Sequence, residues 1–110
     1  DRLARFSGQR FVALLPDTGP HNAAALAERL RQRIDSCTFQ FGELNLNVTV
    51  SCGATEANSK DDIGTLLARL GEATREAKQS GRNRTCVHDG KIVSPVLPPS
   101  LRFAERTMAL

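Results

Sequence analysis

Lys78 and Arg82 stand four residues apart in a stretch of helical period, which puts two cations one turn from each other at the end of a helix. Two cations so placed can meet an anionic group together. The spacing equally suits solvated cations complementing the helix dipole, and for this chain the balance favours the solvated role. Towards the other end, Ser7-Gly8-Gln9-Arg10-Phe11 is a short turn carrying a neutral amide and a guanidinium. An amide is a poor ligand for a hard divalent cation, and a guanidinium repels one and accepts no proton. The turn therefore has hydrogen-bond donors but nothing for metal or base chemistry.

Other chemistry is sparse. His21 and His88 flank turns with no convergent acid or cysteine and are expected on the surface. Ser7 and Ser51 have no His at a recognisable spacing, so a nucleophile is not indicated. Cys37, Cys52 and Cys86 are odd in number and widely spaced, which implies neither a disulfide framework nor a zinc site. A cytoplasmic, reducing location is expected. The net charge of +3 is scattered along the chain rather than clustered, which describes a solvated surface. No apolar run nears the roughly 20 residues that cross a bilayer, and Asp1-Arg2-Leu3-Ala4-Arg5 lacks the apolar core of a signal peptide, so no membrane contact is expected. With no initiator Met, the chain is expected to start inside a longer gene product.

The elements that must position these residues follow from periodicity. At 110 residues the chain has room for one core. Phe11 to Leu15 is an apolar run stopped by Pro16-Asp17-Thr18-Gly19-Pro20 and predicts a buried strand, with Leu3 to Phe6 as the other arm of a hairpin turning at Ser7-Gly8. From Asn22 as N-cap, Ala23, Leu26, Ala27, Leu30 and Ile34 recur at helical spacing, with Glu28, Arg29, Gln32 and Arg33 on the other faces. Phe39 and Phe41, a turn at Gly42-Glu43, and the alternation Leu44, Leu46, Val48, Val50 predict a hairpin with a half-buried second strand. Asp61 or Asp62 caps a second helix with apolar positions Ile63, Leu66, Leu67, Leu70, Ala73 and Ala77, ended by Gly81. A last hairpin, Arg84 to Val87 and Lys91 to Val93, turns at His88-Asp89-Gly90. Residues 1–94 form the domain. Pro95, Pro98 and Pro99 lead out of it into a tail that fills the rest of 95–110. The fold class is α/β, an α+β sandwich with two main helices on an antiparallel or mixed sheet.

Four fragments in this order carry a family resemblance: Arg5-Phe6-Ser7-Gly8-Gln9-Arg10-Phe11 with Leu14-Leu15-Pro16, then Ala25-Leu26-Ala27-Glu28-Arg29-Leu30-Arg31, then Val48-Thr49-Val50-Ser51-Cys52-Gly53-Ala54, and finally Glu76-Ala77-Lys78-Gln79-Ser80-Gly81-Arg82-Asn83. Over residues 1 to about 88 the chain resembles the C-terminal part of a GGDEF domain, the bacterial cyclic-di-GMP signalling module. The resemblance implies a partial nucleotide-cyclase, ferredoxin-like fold that lacks the family's first, central strand. Unpaired sheet edges would follow, closed by the remaining strands or filled by a second chain.

In the family the signature glycines admit GTP, the third residue ligates Mg²⁺ and the fourth assists the attacking hydroxyl. Here those two acids are Gln9 and Arg10, and Ser7 replaces the first glycine in a turn where left-handed geometry is expected to be needed. The resemblance makes Lys78 and Arg82 the phosphate-contacting pair, while Arg75 and Gly71 replace the usual Tyr and Asp of the helix before them. Asp1 and Arg29 match part of the product-inhibition site, although Arg29 is read first as an exposed helix residue. The family's other metal-binding Asp and its guanine-recognising residues belong to a segment upstream of Asp1, so this chain alone is expected to be inactive, with no catalytic residue, metal or cofactor of its own.

The function implied is a degenerate GGDEF module with a regulatory or protein-interaction role, with GTP or cyclic-di-GMP as ligands of the parent and a protein partner or second copy at the sheet edges. The alternative is a fragment of a diguanylate cyclase, active with Mg²⁺ when the rest is present. Nucleic-acid binding would need exposed aromatics, and with no Tyr or Trp, and with Phe11, Phe39 and Phe41 placed in core or hairpin, none is expected.

Overall fold

The computed structural model of the chain describes residues 2–97. In order, it contains β1 (Arg2–Ser7), β2 (Arg10–Leu14), α1 (Pro20–Ser36), β3 (Thr38–Phe41), β4 (Leu44–Asn47), β5 (Cys52–Thr55), α2 (Ile63–Gln79), β6 (Thr85–His88) and β7 (Val93–Pro95). The predicted mix of two helices with antiparallel and mixed sheet is what forms. β5 pairs parallel to β6 with α2 as the crossover, and β6 pairs antiparallel to β7. Both helices pack on the β5–β6 pair.

Local chemistry sets the helix ends. Pro20 opens α1, its fixed φ already helical, behind Gly19 as N-cap with no side-chain cap. Asn22 therefore lies inside the first turn and is not the predicted cap. For α2 the predicted Asp62 is the cap, in a reciprocal box: Thr65 N–H donates to Asp62 Oδ1 at 2.8 Å and Asp62 N–H to Thr65 Oγ1 at 3.1 Å. At the other end Gly81, at φ +125°, lets the chain fold back so that Arg82 N–H donates to Ala77 O at 2.9 Å.

The core is small. Ala73 and Ala77 of α2 meet Cys86 of β6, with Val93 packed against them. Only α2's predicted apolar face points fully inward at these alanines, and Ile63 at its start is exposed. On α1 the prediction needs correction. The buried line is Ala24, Glu28 and Arg31, while Leu26 and Leu30 face solvent. Glu28 can be buried because Arg31 and Thr85 satisfy its carboxylate, an arrangement that apolar periodicity does not register.

Among the described residues the hairpins β1–β2 and β3–β4 form separate two-stranded sheets, and β5 is paired on one side only. This is the unpaired edge that the resemblance implied. It also overturns a burial expectation. Phe11 is 63% and Leu14 57% exposed, so β2 is not a buried strand; of the core and hairpin places expected for Phe41, it takes the hairpin, on exposed strand β3. A ribbon of two strands on which no described element packs has nowhere among those elements to bury its apolar residues. The predicted alternating strand from Leu44 to Val50 is likewise cut at Asn47, and Val48 to Ser51 run unpaired into β5. The last hairpin turns at Asp89-Gly90 as expected but runs slightly later, so that Pro95 is the final residue of β7 rather than the exit. Pro98, Pro99 and the remainder of the predicted tail lie outside the described residues.

Candidate functional site

Immediately after α2 the backbone takes an uncommon path. Gly81, Arg82 and Asn83 have φ of +125°, +62° and +48° in succession. Glycine accepts such angles freely and asparagine tolerates them, but for arginine the left-handed region costs roughly 1–2 kcal/mol. The surroundings hold the strain in place from two sides. Asn83 N–H donates to Ser51 Oγ at 3.2 Å, which gives Ser51 a structural task. From α1, Arg31 Nη1 donates to Asn83 Oδ1 at 2.8 Å and to Asn83 O at 3.3 Å.

Arg31 is itself fixed by Glu28. Its Nε and Nη2 donate to the two carboxylate oxygens at 2.7 and 2.6 Å, a bidentate pair one helical turn apart. Thr85 Oγ1 adds a donor at 3.0 Å and Gln32 Nε2 another at 3.1 Å. Burial alone would raise the Glu28 carboxyl, but the bonds from Arg31, Thr85 and Gln32 together hold it below its ordinary value. The bond to Glu28 correspondingly raises the Arg31 guanidinium.

Lys78 occupies the last turn of α2, whereas Arg82 lies beyond the helix in the left-handed loop, so the two are not the on-helix pair that the spacing predicted. Both are exposed, and neither side chain is in an ion pair among the described residues. Arg75 is exposed and Gly71 partly buried on the same helix.

The Ser7 to Phe11 segment forms the tip of the β1–β2 hairpin, with Ser7 opposite Arg10 and a register irregularity between Arg5 and Ser7. Neither Ser7 nor Gly8 takes a left-handed conformation, so the expected penalty for replacing the glycine does not arise in this turn. Arg5 Nη2 donates to Gly8 O at 2.9 Å and braces the turn, a contact that the spacing did not suggest. The Arg10 guanidinium lies 5.8 Å from the Phe6 ring centroid, within cation–π range. A divalent cation does not fit this donor set: Gln9 offers one neutral oxygen, and the cation Arg10 occupies the neighbouring position.

Arg29 is exposed on α1 beside Arg33, Gln32 and Ser36, around an open cleft of about 410 Å³. Its predicted companion Asp1 lies outside the described residues. No hydrogen bond or ion pair among the described residues joins the hairpin tip, the α2 end and Arg29 to one another. They remain three separate places on the chain.

One prediction about histidine fails. His21 is exposed as expected, but His88 is only 5% exposed, with Nε2 3.0 Å from Glu72 Oε2 on α2. Gly90 N–H donates to Nδ1 at 2.9 Å, which places the proton on Nε2. Glu72 is remote in sequence and reaches His88 only through the packing of α2 on β6. Nearby, Arg69 Nη1 donates to Asp61 Oδ1 at 2.7 Å and Arg69 Nε to Thr55 Oγ1 at 3.2 Å, tying the start of α2 to β5. Arg69, Thr55 and His88 face a cavity of about 130 Å³, but all three are already paired. The three thiols are free, with no disulfide.

Residues 1–84 match the family model described as "Diguanylate cyclase, GGDEF domain". Similar proteins include Diguanylate cyclase A of Treponema denticola, 33% identical over 85 residues that cover 76% of this chain and 23% of that protein. Diguanylate cyclase DgcP of Pseudomonas aeruginosa is 38% identical over 84 residues, 76% of this chain and 12% of the relative. The response regulator PleD of Caulobacter vibrioides is 38% identical over 86 residues, again 76% of this chain and 19% of the relative. The chain thus spans less than a quarter of the length of these relatives.

Proposed function

The chain belongs to the diguanylate cyclase GGDEF-domain family, and we propose that it is a catalytically silent module of a cyclic-di-GMP signalling protein, acting in the cytoplasm by regulation or protein contact. The observation that supports this is the hairpin tip. At the two positions where the family places acids, this chain has Gln9 and Arg10, the latter drawn toward Phe6. Losing the metal's charge stabilisation and the assisting carboxylate together removes several kcal/mol of transition-state stabilisation, and about 1.36 kcal/mol is tenfold in rate. Lys78 and Arg82 keep the capacity to contact the phosphates of GTP or cyclic-di-GMP, and Arg29 that of half an inhibitory site. The unpaired edge of β5 and the exposed strands of the two hairpins are where a protein partner or second copy would attach.

The alternative is a diguanylate cyclase, and the names of the relatives favour it: proteins 33% and 38% identical are called diguanylate cyclases. In that case the carboxylate that would hold Mg²⁺ and the guanine-recognising residues come from the N-terminal half of the domain in the full-length protein. Incubating the full-length protein with GTP and Mg²⁺ or Mn²⁺ separates the two. The silent module produces no cyclic-di-GMP above a no-enzyme blank, and clear turnover would assign the cyclase instead.

A further inference from the structure

A buried ion pair is an uncertain stabiliser, since apolar residues of like volume often do as well. That leaves the Glu28–Arg31 pair in need of a purpose. Arg31 uses two of its nitrogens on Glu28 and turns the third outward across the fold to Asn83, 52 residues away in sequence. What it grips there is the strained segment. Asn83 and Arg82 are consecutive non-glycine residues at positive φ, and strained backbone persists only where neighbours over-determine it. At Asn83 those neighbours are Arg31, which holds its side chain and carbonyl, and Ser51, which holds its N–H, while the backbone of Arg82 is bonded at its N–H by Ala77 O and at its carbonyl by Arg84 Nε.

The geometry points to Arg31, locked by Glu28, as a positioning residue for anion binding: through Asn83 it holds Arg82 in the left-handed conformation that presents its guanidinium, with Lys78, to a phosphate or pyrophosphate group. This rests on reading Lys78 and Arg82 as phosphate contacts. A freely rotating loop would spread the Arg82 side chain over many directions, and each bond to an anion would then cost ordering entropy that the clamp has already removed. The exposed cations have no competing carboxylate among the described ion pairs, so the clamp delivers them unneutralised.

The test is an NMR titration of the full 110-residue chain with inorganic pyrophosphate, following the backbone amides of residues 78–84 and the Arg82 Nε–H, with the three-bond amide–Hα coupling of Arg82 and Asn83 as the report on φ. Arg82→Ala tests the underlying reading. Arg31→Gln and Asn83→Ala test the positioning, and Asn83→Asp, which tolerates left-handed φ and keeps an acceptor for Arg31, is the conservative rescue. The expected result is loss of binding in Arg82→Ala, an affinity roughly tenfold weaker in Arg31→Gln and Asn83→Ala with altered couplings, and near-native affinity and couplings in Asn83→Asp. Should Arg31→Gln fail to fold, Asn83→Ala leaves the buried pair intact and decides the matter. If Arg82→Ala still binds like the parent chain, or the parent chain does not bind pyrophosphate, the phosphate reading falls and the positioning role with it. If Arg82→Ala loses binding while Asn83→Ala keeps native affinity, the phosphate reading stands and the positioning role is overturned.

Discussion

Gly53 on β5 lies so close to Thr74 on α2 that a Cβ added there would stand 2.5 Å from Thr74 Oγ1, 2.7 Å from Thr74 N and 2.9 Å from Ala73 Cβ. The middle distance decides the outcome. A hydroxyl can rotate away, but a helix backbone nitrogen cannot move without shifting α2 off the sheet and away from Cys86. Gly53→Ala should therefore destabilise the chain by about 3 kcal/mol, at the upper end of ordinary overpacking costs. Urea unfolding followed by circular dichroism measures it, and a loss below about 0.5 kcal/mol would mean that β5 and α2 pack less tightly than described.

The carboxylates set an acid limit on the fold. Asp61 is lowered chiefly by its bond from Arg69, Asp89 by backbone bonds from Ile92 and Lys91, and Glu28 by the net effect of its donors against burial. A carboxyl whose folded value lies below its unfolded value binds fewer protons when folded. Its contribution is present above the unfolded value of about 4 and is lost as pH falls through the folded one. The urea midpoint should accordingly hold steady from about pH 7 to 5 and drop below about pH 4. In Asp61→Asn the drop should be shallower, because one of the three groups no longer titrates; an unchanged profile would remove Asp61 from the account.

Thiol chemistry gives a second check on burial. Cys37 is exposed, whereas burial raises the thiols of Cys52 and Cys86 above their ordinary values. Since the thiolate is the reactive form, a disulfide reagent such as DTNB at neutral pH should release one equivalent quickly. The other two should follow only at the rate of unfolding, and all three should react at once in urea. Three fast equivalents without denaturant would contradict the packing of β5 and β6.

Much of the fold was legible where a signal was local. Asp62 and Gly81 ended α2 as their chemistry requires, Asp89-Gly90 made its turn, and the ordered fragments named the family whose model matches residues 1–84. The failures have one cause. Periodicity counts apolar residues and assumes that they find a core, so it placed Phe11, Leu30 and Leu46 inside, where no described element covers them. It also placed Glu28 outside, and His88 was expected outside because no acid converges on it in the sequence, although each is buried against a partner supplied by tertiary packing, Thr85 for one and Glu72 for the other. The site divided in the same way. Gln9 and Arg10 announced themselves by type, but the bonds that Asn83, next to Arg82, makes with Arg31 and Ser51 come from tertiary packing, which no spacing near Arg82 reveals.

Stability and positioning can be separated at the Glu28–Arg31 pair. Removing Glu28 alone leaves a buried guanidinium without its counter-charge, so Glu28→Ala should cost about 3–5 kcal/mol. Replacing both members by Leu and Met restores volume and removes the charge, but it strands the hydroxyl of Thr85, which is fully buried and donates to Glu28 at 3.0 Å. A stranded buried hydroxyl costs about 1–3 kcal/mol, so Thr85→Val is needed as a third change. The triple variant Glu28→Leu, Arg31→Met, Thr85→Val should be about as stable as the unsubstituted chain, because apolar residues of similar volume often replace a buried ion pair without loss. Its Asn83, however, has lost both bonds from Arg31 and keeps only Ser51. The amide–Hα couplings of Arg82 and Asn83 should then depart from their left-handed values even though urea reports a sound fold. A variant that is stable and still left-handed would show that Ser51 and the turn suffice, and that the buried pair serves packing alone.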